Sequence, residues 1–188
     1  MLEYQRYGRN KDTIINSTYI NSGEYRRKFD KITKNDAINR ILYSKAKEML
    51  FHRSGTLFED MYWIDGDTGE VVAQALDEKV TEEVNYTKSI FNAVNGKTNL
   101  ITMHTHPNSM PPSISDFNSC FNHGYAVCLV ICHNGTIYQY ISSQKVPSTL
   151  QYLYVQDFLK ITYNERDAQI MALEKIKESY DINFREVI

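Results

Sequence analysis

Met103-His104-Thr105-His106-Pro107-Asn108-Ser109-Met110-Pro111-Pro112-Ser113-Ile114-Ser115-Asp116 is the stretch from which the fold and chemistry of the chain are read. Residues 99–103 are β-prone and deliver the chain into His104, so the two histidines stand at the end of a strand. Side chains alternate along a strand, so His104 and His106 point to the same side and both imidazoles can meet one ion. Pro107, Pro111 and Pro112 stiffen the following loop, which lowers the entropy lost when it is fixed beside a metal. The loop feeds a helix expected over residues 113–122, and Asp116 in its first turn can reach back as a third ligand. Two imidazoles and one carboxylate leave the fourth position of a tetrahedral Zn2+ open, the arrangement of a catalytic rather than a structural site. Zinc in such a site lowers the pKa of water toward ~7 and polarises a carbonyl.

Each piece has an ordinary explanation by itself. Most His-x-His pairs bind nothing, Ser113-x-x-Asp116 reads as a helix N-cap with an acidic third position, and the prolines make a loop. Here the three occur in order, within thirteen residues, at a strand-to-helix junction. The combination points to a metal.

Working outward, residues 35–52 space Ile38, Ile41, Leu42, Met49 and Leu50 for one helical face, and Gly55 ends that helix. Residues 58–64 and 70–76 are β-prone runs around Asp65-Gly66-Asp67-Thr68-Gly69, a hairpin. Residues 87–94 predict a short helix stopped by Asn95-Gly96, and the helix from residue 113 closes at Gly124. Residues 125–132 and 136–141 flank Asn134-Gly135 as a second hairpin. Residues 149–180 read as helical, with a break near Tyr163-Asn164. Residues 1–30 are polar, carry Gly8, Asn10, Asn16, Asn21 and Gly23, and read as an extended or weakly ordered lead-in. There is no internal repeat. The fold class is α/β, a mixed β-sheet with helices.

The 188 residues suffice for one sizeable core. Apolar residues make up 42% and charged residues 23%, as in ordinary globular proteins. The formal net charge of −2 gives no basic excess for a nucleic-acid partner. Fourteen tyrosines are spread along the chain as core and surface amphipaths. Three cysteines, Cys120, Cys128 and Cys132, offer no disulfide framework and no CxxC pair for a zinc site. Cys128 and Cys132 read as buried strand thiols, and Cys120 as core. With no signal peptide in the first residues and no apolar run long enough for a bilayer, the expected location is cytoplasmic. His52 and His123 end helices, where the dipole favours a cation, and His133 sits beside a hairpin turn; none is assigned chemistry.

The segment His104-Thr105-His106-Pro107 with Ser113-Ile114-Ser115-Asp116 resembles the JAB/MPN metalloprotease family, whose JAMM signature is a distant Glu, then His-x-His-Pro, then Ser-x-x-Asp. The Pro-rich form is similar to the RadC-like branch and to the JAB domains of phage and mobile-element proteins. Residues 19–30 also resemble the lead-in to JAB domains at the ends of phage head-morphogenesis and polymorphic-toxin proteins. Nine residues separate His106 from Asp116, where the family usually has ten. The resemblance implies a single JAB/MPN-like (cytidine-deaminase-like) domain over residues 31–188, a mixed sheet flanked by helices, with a polar N-terminal extension over 1–30 and C-terminal helices.

The resemblance also implies roles. His104, His106 and Asp116 would hold zinc. The family's upstream glutamate opens a sheet strand, and Glu59 fits that place better than Glu48 in the preceding helix or Glu70 in the return strand; Glu82 and Glu83 read as solvated surface. Glu59 would move a proton from the attacking water to the leaving amine. Ser113 would stabilise the oxyanion, in competition with capping the helix, while Thr105 would face the other way and pack. The expected activity is cleavage of a peptide or isopeptide bond in a protein substrate, with the C-terminus of a ubiquitin-like protein among the candidates. Two alternatives stand beside it: a non-catalytic JAB/MPN interaction module, which typically lacks ligands present here, and a RadC-like DNA-associated protein, which the acidic balance disfavours.

Overall fold

The computed structural model describes residues 10–77, 79–81, 84–161 and 163–188. A 3-10 turn at Lys11–Thr13 leads into α1 (Ser17–Ile20), α2 (Gly23–Arg27) and a second 3-10 turn at Lys28–Lys31. The polar extension expected over residues 1–30 is, from Asn10 on, helical and packed; residues 1–9 lie outside the described residues. The polar residues that made the region read as a lead-in are its caps. Asn10 accepts from Asp12 N, Asn16 from Tyr19 N, and Ser22 from Tyr25 N, each satisfying an otherwise orphaned N–H.

Then follow α3 (Asp36–Arg53), β1 (Met61–Asp65), β2 (Val71–Ala75), α4 (Lys88–Val94), β3 (Leu100–His106), α5 (Ile114–His123), β4 (Val127–Cys132), β5 (Ile137–Ser142), α6 (Thr149–Lys160), α7 (Glu165–Lys177) and β6 (Ile182–Glu186). The six strands form one mixed sheet in the order β2-β1-β3-β4-β5-β6. Only the β3–β4 pair is parallel among these neighbours. A parallel pair needs a long crossover, and the proline loop together with α5 supplies it. The protein is thus α/β, with helices on both sides of the sheet.

Strand alternation assigns every side chain to a layer. Met61 and Trp63, Cys128 and Val130, and Tyr138 and Tyr140 pack with Phe117 and Cys120 of α5 and Leu173 and Ile176 of α7. Tyr62 and Ile64, Ile101 and Met103, and Leu129 and Ile131 face α3 and the N-terminal helices. The hairpin turn after β1 rests directly on α3: Gly69 has φ +77°, and a Cβ there would meet Ile41 Cδ1 at 2.3 Å. All seven residues of β3 are buried.

Both expected hairpins, the helices near 35–52, 87–94 and 113–122, and the break near residue 163 are present. Asn164 makes that break by capping α7, accepting from Asp167 N. Two differences affect the site. β3 runs on through His106 instead of ending at residue 103, so both histidines lie within the strand. β6 follows the last helix where the sequence reading ended in helices. No helix among the described residues is long and apolar enough to cross a membrane.

The N-terminal helices carry testable weight. Phe29 is buried among Tyr25, Leu42 and the sheet, so Phe29→Ala is expected to lower the unfolding free energy by about 3–5 kcal/mol in urea titration. A loss below about 1 kcal/mol would mean that this region is not part of the core.

Candidate metal centre

His104 and His106 emerge on one face of β3 with their Nε2 atoms 3.0 Å apart. The loop after β3 folds back through Ser109, at φ 60°. Asn108 accepts from Met110 N and Ser109 Oγ accepts from Asn134 N. This brings the Met110 carbonyl to 2.9 Å from His106 Nδ1. A carbonyl only accepts, so His106 Nδ1 carries the proton and Nε2 presents a lone pair to the site. His104 is held by packing, its ring edge-on to Tyr140 at 6.4 Å; its Nδ1 has no hydrogen-bond partner among the described residues.

α5 supplies the carboxylate. Ser113 and Asp116 form a capping box: Ser113 Oγ accepts from Asp116 N, and Ser113 N–H donates to Asp116 Oδ2 at 2.7 Å. The Ser113 hydroxyl donates to the same oxygen at 2.8 Å. Thus oriented, Asp116 sets Oδ1 3.3 Å from His104 Nε2 and Oδ2 3.7 Å from His106 Nε2. A tetrahedral ion with bonds of ~2.0–2.1 Å separates its ligand atoms by about 3.3 Å. The separations between the two imidazole nitrogens and the nearest Asp116 oxygens, 3.0–3.7 Å, are of that order.

Glu59 adds a second carboxylate. It sits two residues ahead of β1 and is 7% exposed. Its carboxylate and the two imidazoles put their donor atoms within 4.8 Å of one another, so Glu59, His104 and His106 form a group that can hold a metal ion. Two carboxylates therefore stand near the imidazole pair. All four side chains line a cleft of about 550 Å3.

The charges are strongly coupled. Burial alone would lower the His104 pKa, but Asp116, by charge and hydrogen bond, and Glu59 raise it above the ordinary imidazole value. Burial and the charge on His104 push His106 down to about 4. Burial opposes ionisation of Asp116, yet His104, His106 and the Ser113 N–H hold it well below the usual carboxylate range. Asp116 and Glu59 thus favour the protonated form of His104, whose charge in turn disfavours protonation of His106.

The chain matches no protein-family model, no curated protein and no solved structure. The site is therefore read from its own geometry.

The four residues picked out around the motif and Glu59 all meet at this cleft, and Ser113 stands beside Asp116. Glu82 and Glu83 lie outside the described residues. Thr105 faces away from the cleft and is buried, as expected, but it also bonds the Asp60 backbone. One wall of the cleft was not read from the sequence. There Tyr86 OH lies 3.0 Å from Tyr125 OH and 3.2 Å from Ser119 Oγ, and Trp63 Nε1 donates to Tyr125 OH at 2.9 Å. His123 stacks on both tyrosine rings. Tyr86 and Tyr125 are 39 positions apart, beyond any local periodicity. His52 bonds Asp60 Oδ2 at 2.7 Å, and His133 Nδ1 donates to Thr13 O at 2.7 Å, so both have structural partners.

A divalent ion must displace the His104 proton. Since that pKa is raised, the proton is held further toward neutral pH than on a free imidazole, and metal affinity should fall as pH drops through that range. Calorimetry in buffers of different ionisation enthalpy should register proton release on zinc binding. Asp116→Asn or His104→Ala should weaken binding at least about 100-fold. Affinity unchanged between about pH 6 and 8 would contradict this site.

Proposed function

We propose that the chain is a zinc-dependent peptidase or isopeptidase of the JAB/MPN kind, in which His104, His106 and Asp116 hold the metal and Glu59 is the acid/base. The observation that carries this reading is the pair of Nε2 atoms 3.0 Å apart, with the two Asp116 carboxylate oxygens 3.3 and 3.7 Å from them and the buried Glu59 carboxylate nearby. Two imidazoles and one carboxylate suit zinc among the common divalent ions. Asp116 is the third ligand in this reading because its carboxylate is already fixed by Ser113 and the helix turn. Glu59, whose carboxylate also lies near the imidazole pair, is then the group assigned to proton transfer.

Zinc, when bound, supplies a Lewis acid that polarises the scissile carbonyl and acidifies water. Glu59 takes the proton from the attacking water and delivers it to the departing amine. Ser113 Oγ is engaged with Asp116 in both directions, so its first task is to orient that ligand. An oxyanion contact requires the hydroxyl to turn out of the capping box.

Among the described residues, no lysine or arginine lines the cleft. A phosphate group would meet two carboxylates and no fixed side-chain cation there, whereas an uncharged amide can pair with hydroxyl and amide groups such as Tyr86, Asn108 and Gln169 without that repulsion. This favours a protein substrate, and the C-terminal tail of a ubiquitin-like protein is a first substrate to try.

Glu59→Gln keeps the size of the side chain and removes the base. It should retain stoichiometric zinc while the turnover of a ubiquitin-like fusion falls about 10²–10⁴-fold. Metal analysis alongside the assay checks this; hydrolysis that survives both Glu59→Gln and chelation would overturn the assignment.

A further inference from the structure

Glu59 precedes β1, outside the regular sheet ladder, yet its carboxylate has to be fixed against two imidazoles on the neighbouring strand. The β1–β3 register pairs Met61 with His104. One step further, Asp60 stands opposite Thr105. Thr105 N–H donates to the Asp60 carbonyl at 3.0 Å, as an antiparallel ladder requires. The return bond is different. Asp60 N–H goes to the Thr105 hydroxyl at 3.0 Å. The chain carrying Glu59 is therefore held, at its next residue, by a side chain seated between the two histidines.

The same alternation that points His104 and His106 into the cleft points Thr105 to the opposite face, and it separates Glu59 from Asp60 in the same way. On that opposite face the Asp60 carboxylate meets Arg53 Nε at 2.5 Å and His52 Nδ1 at 2.7 Å. Arg53, wholly buried at the end of α3, also donates to the Leu76 carbonyl at 2.6 Å. Asp60 is thus anchored by its backbone to β3 and by its side chain to α3, and Glu59 has little freedom left.

We propose that Thr105 is a positioning residue for Glu59, holding the acid/base in register with the histidine pair through its side-chain hydroxyl. This rests on the metallopeptidase reading above. It requires an acceptor at the Thr105 γ position: serine supplies one, cysteine a weak one, and valine none, at nearly constant volume.

The test compares Thr105→Ser, Thr105→Cys and Thr105→Val in the full chain loaded with zinc. The Val variant should lose about 10–100-fold in kcat with little change in KM or zinc affinity, because a displacement near 1 Å has an effect of that order. Ser should stay within about threefold of the parent, with Cys between them, so the graded series stands even if Val does not fold. Combined with Glu59→Gln, the Val change should have almost no further effect, since it acts only through that side chain. Crystal structures of the zinc-loaded parent and of the Val or Cys variant give a readout independent of turnover, in which Glu59 moves while His104, His106 and Asp116 stay. If zinc binds and hydrolysis occurs but the Val and Cys variants leave both kcat and Glu59 unchanged, the positioning role is wrong and the peptidase reading stands. If Val costs the same factor in the Glu59→Gln background, the effect is general destabilisation and the role is again wrong. If the parent chain binds no zinc, the reading beneath the inference fails and the inference goes with it.

Discussion

Two imidazoles and the Glu59 carboxylate, buried beside the half-buried Asp116, set the electrostatic constraint on which the rest of the structure depends. Removing a charge from water costs several kcal/mol after relaxation, unless a partner compensates it. Glu59 and Asp116 face His104 and His106 with little access to solvent. The raised pKa of His104 beside the carboxylates and the lowered one of His106 beside His104 express the same balance of charge. A divalent cation at these donor atoms meets the negative charge of the carboxylates more fully than a single proton. The fold therefore holds in place a cluster that calls for a cation.

The scaffold supports the cluster from three directions. β3, buried along its whole length, fixes the imidazoles. The capping box of α5 fixes Asp116, so a motif that explains itself as helix capping also orients the carboxylate proposed as a ligand. On the far face of the sheet, the Arg53–Asp60 pair and Thr105 fix the segment that carries Glu59. Breaking that buried pair would leave an uncompensated charge, so its value lies more in geometry than in net stability.

Some of what the sequence reading left out had a local signal and some did not. Ile182-Asn183-Phe184-Arg185-Glu186 alternates in burial at Ile182 and Phe184, a period-two pattern that was legible but followed a long helical stretch. α1 and α2 span four and five residues, too few for a helical period to show. Helices that short are unstable alone and persist here because Ile20, Tyr25 and Phe29 dock on the sheet side. The tyrosine wall of the cleft joins residues from separate elements, and no spacing rule links them.

The sequence by itself determined the local geometry of the motif. Period-two alternation puts His104 and His106 on one side, and a Ser-x-x-Asp cap turns Asp116 back beside Ser113; both depend only on neighbours along the chain. It also determined the α/β class and most element positions, because those follow from hydrophobic period and turn chemistry. Only the tertiary structure decided that Glu59 meets the histidines across 45 positions, that Thr105 rather than a backbone carbonyl receives the Asp60 N–H, and that the N-terminal segment joins the core through Ile15, Ile20, Tyr25 and Phe29. Those depend on strand register and on which faces are buried together, and both are set by the packing of the whole sheet.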